Sequence, residues 1–362
     1  MSRLNINNLT NENEDGSPRI SGISTFSSPH YFVPPSGTTA ERPSDPGEGM
    51  IRFNTDSGHL EYYTGEFWDD VIVANNDLDG GNRGLFGGAS NVIDYISIST
   101  LGNTQDFGDL TVIRSNLSSC SSSTRGLWGG GNTPATSPAG SNIIDYVTIS
   151  STGDAQDFGD LTVARRDIAA CSSSTRGLFG GGYTPTNIID YITINSTGNA
   201  QDFGDLTVAR RYLASCSSST RGIFAGGLSN TNVIDYVTIS TTGNAQDFGD
   251  LSVARSELAG CSNSTRGVFV GGLTPTILNT IDYITISSTG NAQDFGDLIE
   301  VKRAPGACSS STRGVFGGGR GPSSLSTIEY ITILTTGNSL DFGDLTVARQ
   351  ELGACSNGHG GL

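Results

Sequence analysis

The chain has 362 residues and a formal charge of −16, and 50 of its residues are glycine, about twice the usual share. Lys302 is the only lysine and no basic cluster occurs, so the acidic surface repels nucleic-acid phosphates and anionic headgroups. No apolar run approaches the roughly 20 residues that span a bilayer. The opening "MSRLNINNLTNENEDG" is too polar for a secretory signal. A soluble protein made in a cytoplasm is expected, with no nucleic-acid partner and no membrane insertion.

Residues 1–36 hold few apolar side chains and show no periodicity. They are expected to form an extended arm that orders only on a partner. Residues 37–76 alternate as a small meander: "GMIRFNT", a turn at Asp56-Ser57-Gly58, "HLEYYT", a turn at Gly65-Glu66, and "FWDDVIV". A piece of this size cannot bury much core alone, so an oligomer or a docking surface is expected. Its pattern runs through Thr39, Arg42-Pro43, Gly49 to Asp56, Leu60 to Tyr63 and Trp68. That pattern resembles the small β module of fibre and other structural proteins of tailed bacteriophages. The arm resembles the amino ends of virion proteins of phages infecting cyanobacteria. The resemblance implies a structural virion component, anchored to other virion proteins by its amino end and located in the particle. It implies a homo-oligomer, a trimer being a form such modules adopt. Arg52, Phe53, Tyr62, Tyr63 and Trp68 are the expected anchoring and oligomer contacts.

From residue 77 to 362 the chain is repetitive. "DFG" begins at Asp106, Asp157, Asp202, Asp247, Asp294 and Asp341. In a protein kinase this tripeptide occurs once, to hold magnesium. Six copies mark a structural unit, and the kinase glycine-rich loop, lysine and His-Arg-Asp loop are missing. Arg-Gly falls at Arg83, Arg125, Arg176, Arg221, Arg266 and Arg313, at intervals of 42, 51, 45, 45 and 47 residues. Each unit reads as four short strands separated by Gly, Asn and Ser turns. Six such units predict an all-β fold, a six-bladed β-propeller. The small residues of "DIAACSSS" suit the innermost strand, followed outward by "RGLFGGG", "IIDYITI" and "QDFGDLTV". The repeats open on a second strand at residue 83, so strand 351–357 is expected to complete that first unit and remove its free edge. The glycine doublets Gly181-Gly182, Gly226-Gly227 and Gly271-Gly272, each followed by an acidic-Tyr pair such as Asp190-Tyr191, resemble the kelch repeat. That resemblance implies architecture and no particular activity.

Repeated polar residues are expected to serve the fold. Cys120, Cys171, Cys216, Cys261, Cys308 and Cys355 occupy one place per unit, too far apart to bridge. Without a Cys-x-x-Cys pair they make no zinc site. The "DFGD" aspartates are expected to pair between units with Arg114, Arg165, Arg210, Arg255, Arg303 and Arg349, a reading weighed against a repeated calcium site. His30, His59 and His359 are the only histidines, and none is expected in a central blade. No metal, cofactor or catalytic residue is expected.

The loops between second and third strands differ from unit to unit. Loops on a rigid scaffold are where binding concentrates. The candidates are Thr133 and Thr136, Tyr183 and Thr184, Ser229 and Thr231 in "LSNTN", Thr274 and Thr276, and Arg320 and Ser323. Their hydroxyls, amides and aromatic ring suit a host-surface glycan or protein. The expected function is therefore a phage fibre, knob or decoration protein that displays a propeller. The alternatives are a purely architectural virion subunit whose propeller docks on other virion proteins, and a propeller enzyme.

Overall fold

The structure, a computed structural model, describes residues 34–56, 58–71, 83–137, 139–183, 186–228 and 231–362. Most of the expected arm, residues 1–33, lies outside them, as do Thr184 and Ser229. The chain divides into two compact units, Met1–Asn75 and Asn76–Leu362. The described residues hold seven four-stranded β-sheets and no α-helix.

The first unit contains one sheet, with strands Ser36–Gly37, Ile51–Asn54, His59–Tyr63 and Trp68–Val71 in that order. The last three form the expected meander. Ser36–Gly37 adds a short parallel strand, so the sheet begins within what sequence alone assigns to the arm.

The second unit contains six sheets of one design. In the sheet Ala169–Ser172, Arg176–Gly180, Thr186–Thr193 and Gln201–Arg210, the strands lie in chain order and pair antiparallel. The small-residue strand is at one edge and the "DFGD" strand at the other, as expected. In one sheet the first strand comes from the far end of the repeats. Gly353–Ser356 pairs antiparallel with Arg83–Gly87, matching Ser356 to Gly84 and Gly353 to Gly87.

The six first strands join in a closed cycle of side-chain bonds. Ser121 Oγ donates to Ser356 O, Ser172 Oγ to Ser121 O, Ser217 Oγ to Ser172 O, Ser262 Oγ to Ser217 O, Ser309 Oγ to Ser262 O and Ser356 Oγ to Ser309 O, all at 2.5–2.8 Å. Strands this close leave no room for large side chains. A Cβ added to Gly177 would stand 2.6 Å from Cys120 Sγ of the neighbouring sheet, and one on Gly267 would stand 2.6 Å from Cys216 Sγ. This packing explains both the glycine of Arg-Gly and the cysteine of each unit. All six cysteines are free and buried. Burial pushes the Cys171, Cys261 and Cys355 thiols up to about 12, so they act as small apolar groups.

The repeated "DFGD" links the sheets at their outer edges. Gly153 N donates to Phe107 O and Ala155 N to Asp109 O, both at 2.7 Å, so the turn of one sheet is bound to the outer strand of the sheet before it. The same bonds recur around the cycle to Gly102 N on Phe342 O at 2.9 Å. Gly108 has φ +148°, and a Cβ there would meet Gly153 O at 2.4 Å, so only glycine fits.

The buried arginines correct one expectation. They do not pair with the "DFGD" aspartates but with the aspartate before each tyrosine, one sheet onward. Arg114–Asp145 and Arg165–Asp190 stand at 2.5 Å, and Arg210–Asp235 at 2.7 Å. Arg255–Asp282 at 3.2 Å and Arg349–Asp94 at 2.5 Å follow the same pattern. In the remaining sheet the partner is Lys302, not Arg303; its Nζ lies 2.7 Å from Glu329. There Glu replaces Asp, Lys replaces Arg, and Ile299 replaces the Thr or Ser that elsewhere donates to the aspartate, as Thr162 does to Asp190 at 2.6 Å. Breaking such a buried pair on one side costs about 3–5 kcal/mol, because a bare charge is left behind.

Deleting residues 350–362 removes the strand that completes the first sheet and two of the six serine bonds. The melting temperature of the shortened chain should fall by about 10 °C or more. Thermal melts within about 2 °C of each other would contradict this closure.

Candidate functional site

The six first strands surround an axis whose two ends differ. At the "SSST" end, residues 357–362 turn in across it. His359 Nε2 is 3.0 Å from Ser121 O and 3.4 Å from Ser172 Oγ, and Gly360 N donates to Ser262 O at 2.9 Å. These partners belong to three different sheets, so the segment closes this end. His359 therefore lies on the axis, beyond the last strand and outside the sheets in which no histidine was expected. Burial lowers its pKa, with the Ser121 carbonyl pulling the other way. A cavity of about 50 Å³ between His359 and the strands is lined by the serines and cysteines.

The opposite end is open and carries a feature absent from the sequence reading. Asn116, Asp167, Tyr212, Glu257, Ala304 and Glu351, one per sheet, have φ between +50° and +63°. A non-glycine residue in this region costs about 1–2 kcal/mol. Here each conformation is held by a backbone bond to the next sheet. Asp167 N donates to Asn116 O, Tyr212 N to Asp167 O, Glu257 N to Tyr212 O, Ala304 N to Glu257 O, Glu351 N to Ala304 O and Asn116 N to Glu351 O, at 2.7–3.2 Å. The backbone ring is regular, but its six side chains are five different types. They border a cavity of about 110 Å³.

Three of the six are carboxylates. Glu351 Oε2 accepts from Asn116 Nδ2 at 2.9 Å, and Glu257 Oε2 accepts from Arg303 at 2.5 Å. Arg303, expected to hold a "DFGD" aspartate, serves here instead. Asp167 is withdrawn from solvent, and neither of its carboxylate oxygens has a hydrogen-bond partner. Burial pushes its pKa up to about 6, against the pull of Arg166, Arg211 and the Tyr212 phenol. Glu351 adds to the upward push.

The variable loops lie at this same end. Tyr183 N donates to Arg166 O and Leu228 N to Arg211 O, both at 2.8 Å. The Tyr183 ring sits between two guanidinium groups, 4.1 Å from Arg166 and 4.6 Å from Arg211, and those arginines also flank Asp167. Tyr183 is thus continuous with the ring. Several loop hydroxyls are occupied locally. Thr133, itself buried, shares a 2.8 Å bond with Thr136; Thr274 donates to Thr276 O at 3.2 Å; Thr231 accepts from Val233 N at 3.2 Å. Arg320 and Ser323 are exposed, in a loop that pairs back on Arg303.

In the first unit the expected contact residues divide between two faces. Arg52 turns inward to Glu61 at 3.1 Å, where Arg42 at 2.6 Å and Asn54 at 3.1 Å also converge. The Arg42 hydrogen bond holds Glu61 below the usual carboxylate range. Arg52 is therefore part of a buried polar cluster, not a contact residue. Tyr63 and Trp68 pack together, ring centroids 5.5 Å apart. Phe53 and Tyr62 are exposed with Ile51, and the register Ile51↔Tyr62 and Phe53↔Leu60 puts them on one apolar sheet face.

No family model matches the chain, and no curated protein matches its sequence.

Asp167 supplies a pH signature. Its folded pKa lies above the unfolded value of 3.8. The folded state thus binds the extra proton between about pH 4 and 6, and the stability this lends is complete below pH 4 and lost as pH rises through 6. Asp167→Asn should flatten the dependence of melting temperature on pH across this window. A profile parallel to that of the unaltered chain would contradict the burial of a carboxylate that its two long ion pairs do not offset.

Proposed function

We propose that the chain is a structural protein of a tailed-phage virion, whose six repeated sheets form a kelch-like six-bladed β-propeller displayed for contact with a partner. The observation that carries this reading is the division of labour between constant and variable positions. The repeated Arg, Asp, Cys and Ser side chains are consumed in joining one sheet to the next, and the repeated glycines make room for them. The positions that vary, in the 116-to-351 ring and the 183 and 320 loops, gather at one end of the axis. A scaffold that holds many constant residues in place around one variable end suits recognition. It does not suggest a catalytic constellation repeated around the ring, and no enzymatic role is proposed.

The virion assignment rests on the residue pattern Thr39, Arg42-Pro43, Gly49 to Asp56, Leu60 to Tyr63 and Trp68. The Arg42–Glu61–Arg52 cluster gives three of those positions a common structural purpose. Ile51, Phe53 and Tyr62 form an exposed apolar face on a module too small to waste it. That face is the proposed contact with other copies, in a trimer or other homo-oligomer, or with virion proteins. The 1–36 arm is the proposed anchor. Host-surface glycan or protein is the proposed partner of the variable end. The architectural alternative, in which that end docks on another virion protein, uses the same geometry.

Antibody raised against the 76–362 unit should label particles in a phage lysate at a fixed position on each particle, seen by immunogold electron microscopy. Label confined to soluble cell protein, with bare particles, would contradict the assignment.

A further inference from the structure

Asp167 differs from every other deeply buried carboxylate around the axis. Asp190 is representative of the rest: it accepts from Arg165 Nη2 at 2.5 Å, Thr162 Oγ1 at 2.6 Å and Thr162 N at 3.2 Å. Asp167 is equally withdrawn from solvent, yet no donor stands in good hydrogen-bond geometry to either of its oxygens, the Tyr212 phenol being only a weak neighbour. The nearest guanidinium nitrogens, on Arg166 and Arg211, stand at 3.8 and 4.0 Å, beyond hydrogen-bond reach. An ionised carboxylate left in this state costs stability. Such a cost is retained where a ligand supplies the missing donors.

We propose that the cavity at the Asp167 end of the axis binds a sugar residue, with the two carboxylate oxygens accepting hydrogen bonds from adjacent hydroxyl groups. The surroundings select this class. An organic cation would meet the guanidinium groups of Arg166 and Arg211, both already within 4.0 Å of the same carboxylate. An anion would meet Asp167, Glu257 and Glu351, which line the cavity together. Among the described residues no group of three acidic, histidine or cysteine side chains is arranged to hold a metal. A neutral donor remains, and a polyhydroxylated one fills both oxygens at once. Tyr212 on the cavity wall offers apolar ring surface to the face of a pyranose. The cavity of about 110 Å³ is smaller than the roughly 150 Å³ that encloses a benzene ring. It admits one hydroxylated edge of a sugar and leaves the rest outside among the loops, which fits a terminal residue of a longer glycan.

This assignment rests on reading the variable end as the binding end, but not on the virion. Sugar binding by a chain that never labels particles would sustain it alone, and labelled particles without sugar binding would sink it alone. The test is saturation-transfer NMR on the purified full chain with the methyl glycosides of glucose, galactose, mannose, fucose and N-acetylglucosamine. Each is used at about 10 mM, enough to detect a Kd near 1 mM; tetramethylammonium serves as the cation probe. At least one glycoside should bind saturably, and Asp167→Asn should weaken it about tenfold or more while the protein still melts cooperatively. Ala304→Tyr provides a second variant, since the equivalent ring position already carries Tyr212 in the same backbone conformation. It fills the mouth without removing a contact and should also abolish binding. The proposal is overturned if no glycoside binds, if only tetramethylammonium binds, or if both variants bind as the unaltered chain does.

Discussion

The hydroxyl of one serine per sheet, bonded to the carbonyl of the sheet before it, sets the terms for the rest of the second unit. The six bonds return to their starting point, from Ser121 on Ser356 to Ser356 on Ser309. A closed cycle fixes how near neighbouring strands approach, and every layer outward has to fit that spacing. Next to the serines, Cys Sγ of one sheet occupies the space that a side chain on the Arg-Gly glycine of the next would need. Further out, an arginine or lysine crosses to a buried carboxylate. At the rim the "DFGD" backbone accepts from the neighbouring turn. Closure also gives Arg83–Gly87 a partner in Gly353–Ser356, so that this strand is not left as a free edge.

The sheet containing Glu329 shows how tightly the layers are coupled. Lys302 is shorter in hydrogen-bonding reach than arginine and carries a compact charge. Glu329 is one methylene longer than the aspartate it replaces, and the pair meets at 2.7 Å. Ile299 has no hydroxyl to donate, and only its backbone N bonds Glu329, at 2.8 Å, as Thr162 N does Asp190. Ser339, which stands where other units have Ala or Thr, supplies the missing hydroxyl to the same carboxylate. Four changes around one buried charge are compensated within one site, as a fully desolvated pair demands.

Much of this fold was legible in the sequence because every column recurs. Strand order, the small innermost residues and the pairing of 353–356 with 84–87 follow from the repeat phase. The arginine partners did not, for two reasons. Reading the letter Arg picked Arg303, whereas counting eight residues from the first aspartate of "DFG" reaches Arg114, Arg165, Arg210, Arg255, Lys302 and Arg349. The acceptor lies one sheet onward, and spacing along the chain cannot reveal that. Counting ten residues reaches the 116-to-351 ring, whose mixed Asn, Asp, Tyr, Glu and Ala were a readable signal overlooked in favour of the longer loops. His359 follows the last repeat and has no counterpart to be compared with. In the first unit alternation gave the strands, but it could not say that Arg52 and Glu61 face inward while Ile51 and Phe53 face out.

A rigid cycle with one end closed by residues 357–362 and the other lined by unlike side chains separates stability from recognition. On the proposed reading, mutations in the ring of variable residues change what is bound, whereas mutations in the serine, cysteine or Arg–Asp layers change whether the cycle exists. The central claim is that the six sheets are one cooperative body. Native-state hydrogen exchange tests it most directly. Amides of the strands holding Ser121, Ser172, Ser217, Ser262, Ser309 and Ser356 should exchange together, through one global opening of common free energy. Exchange of the 353–356 strand well ahead of the other five would contradict a closed cycle.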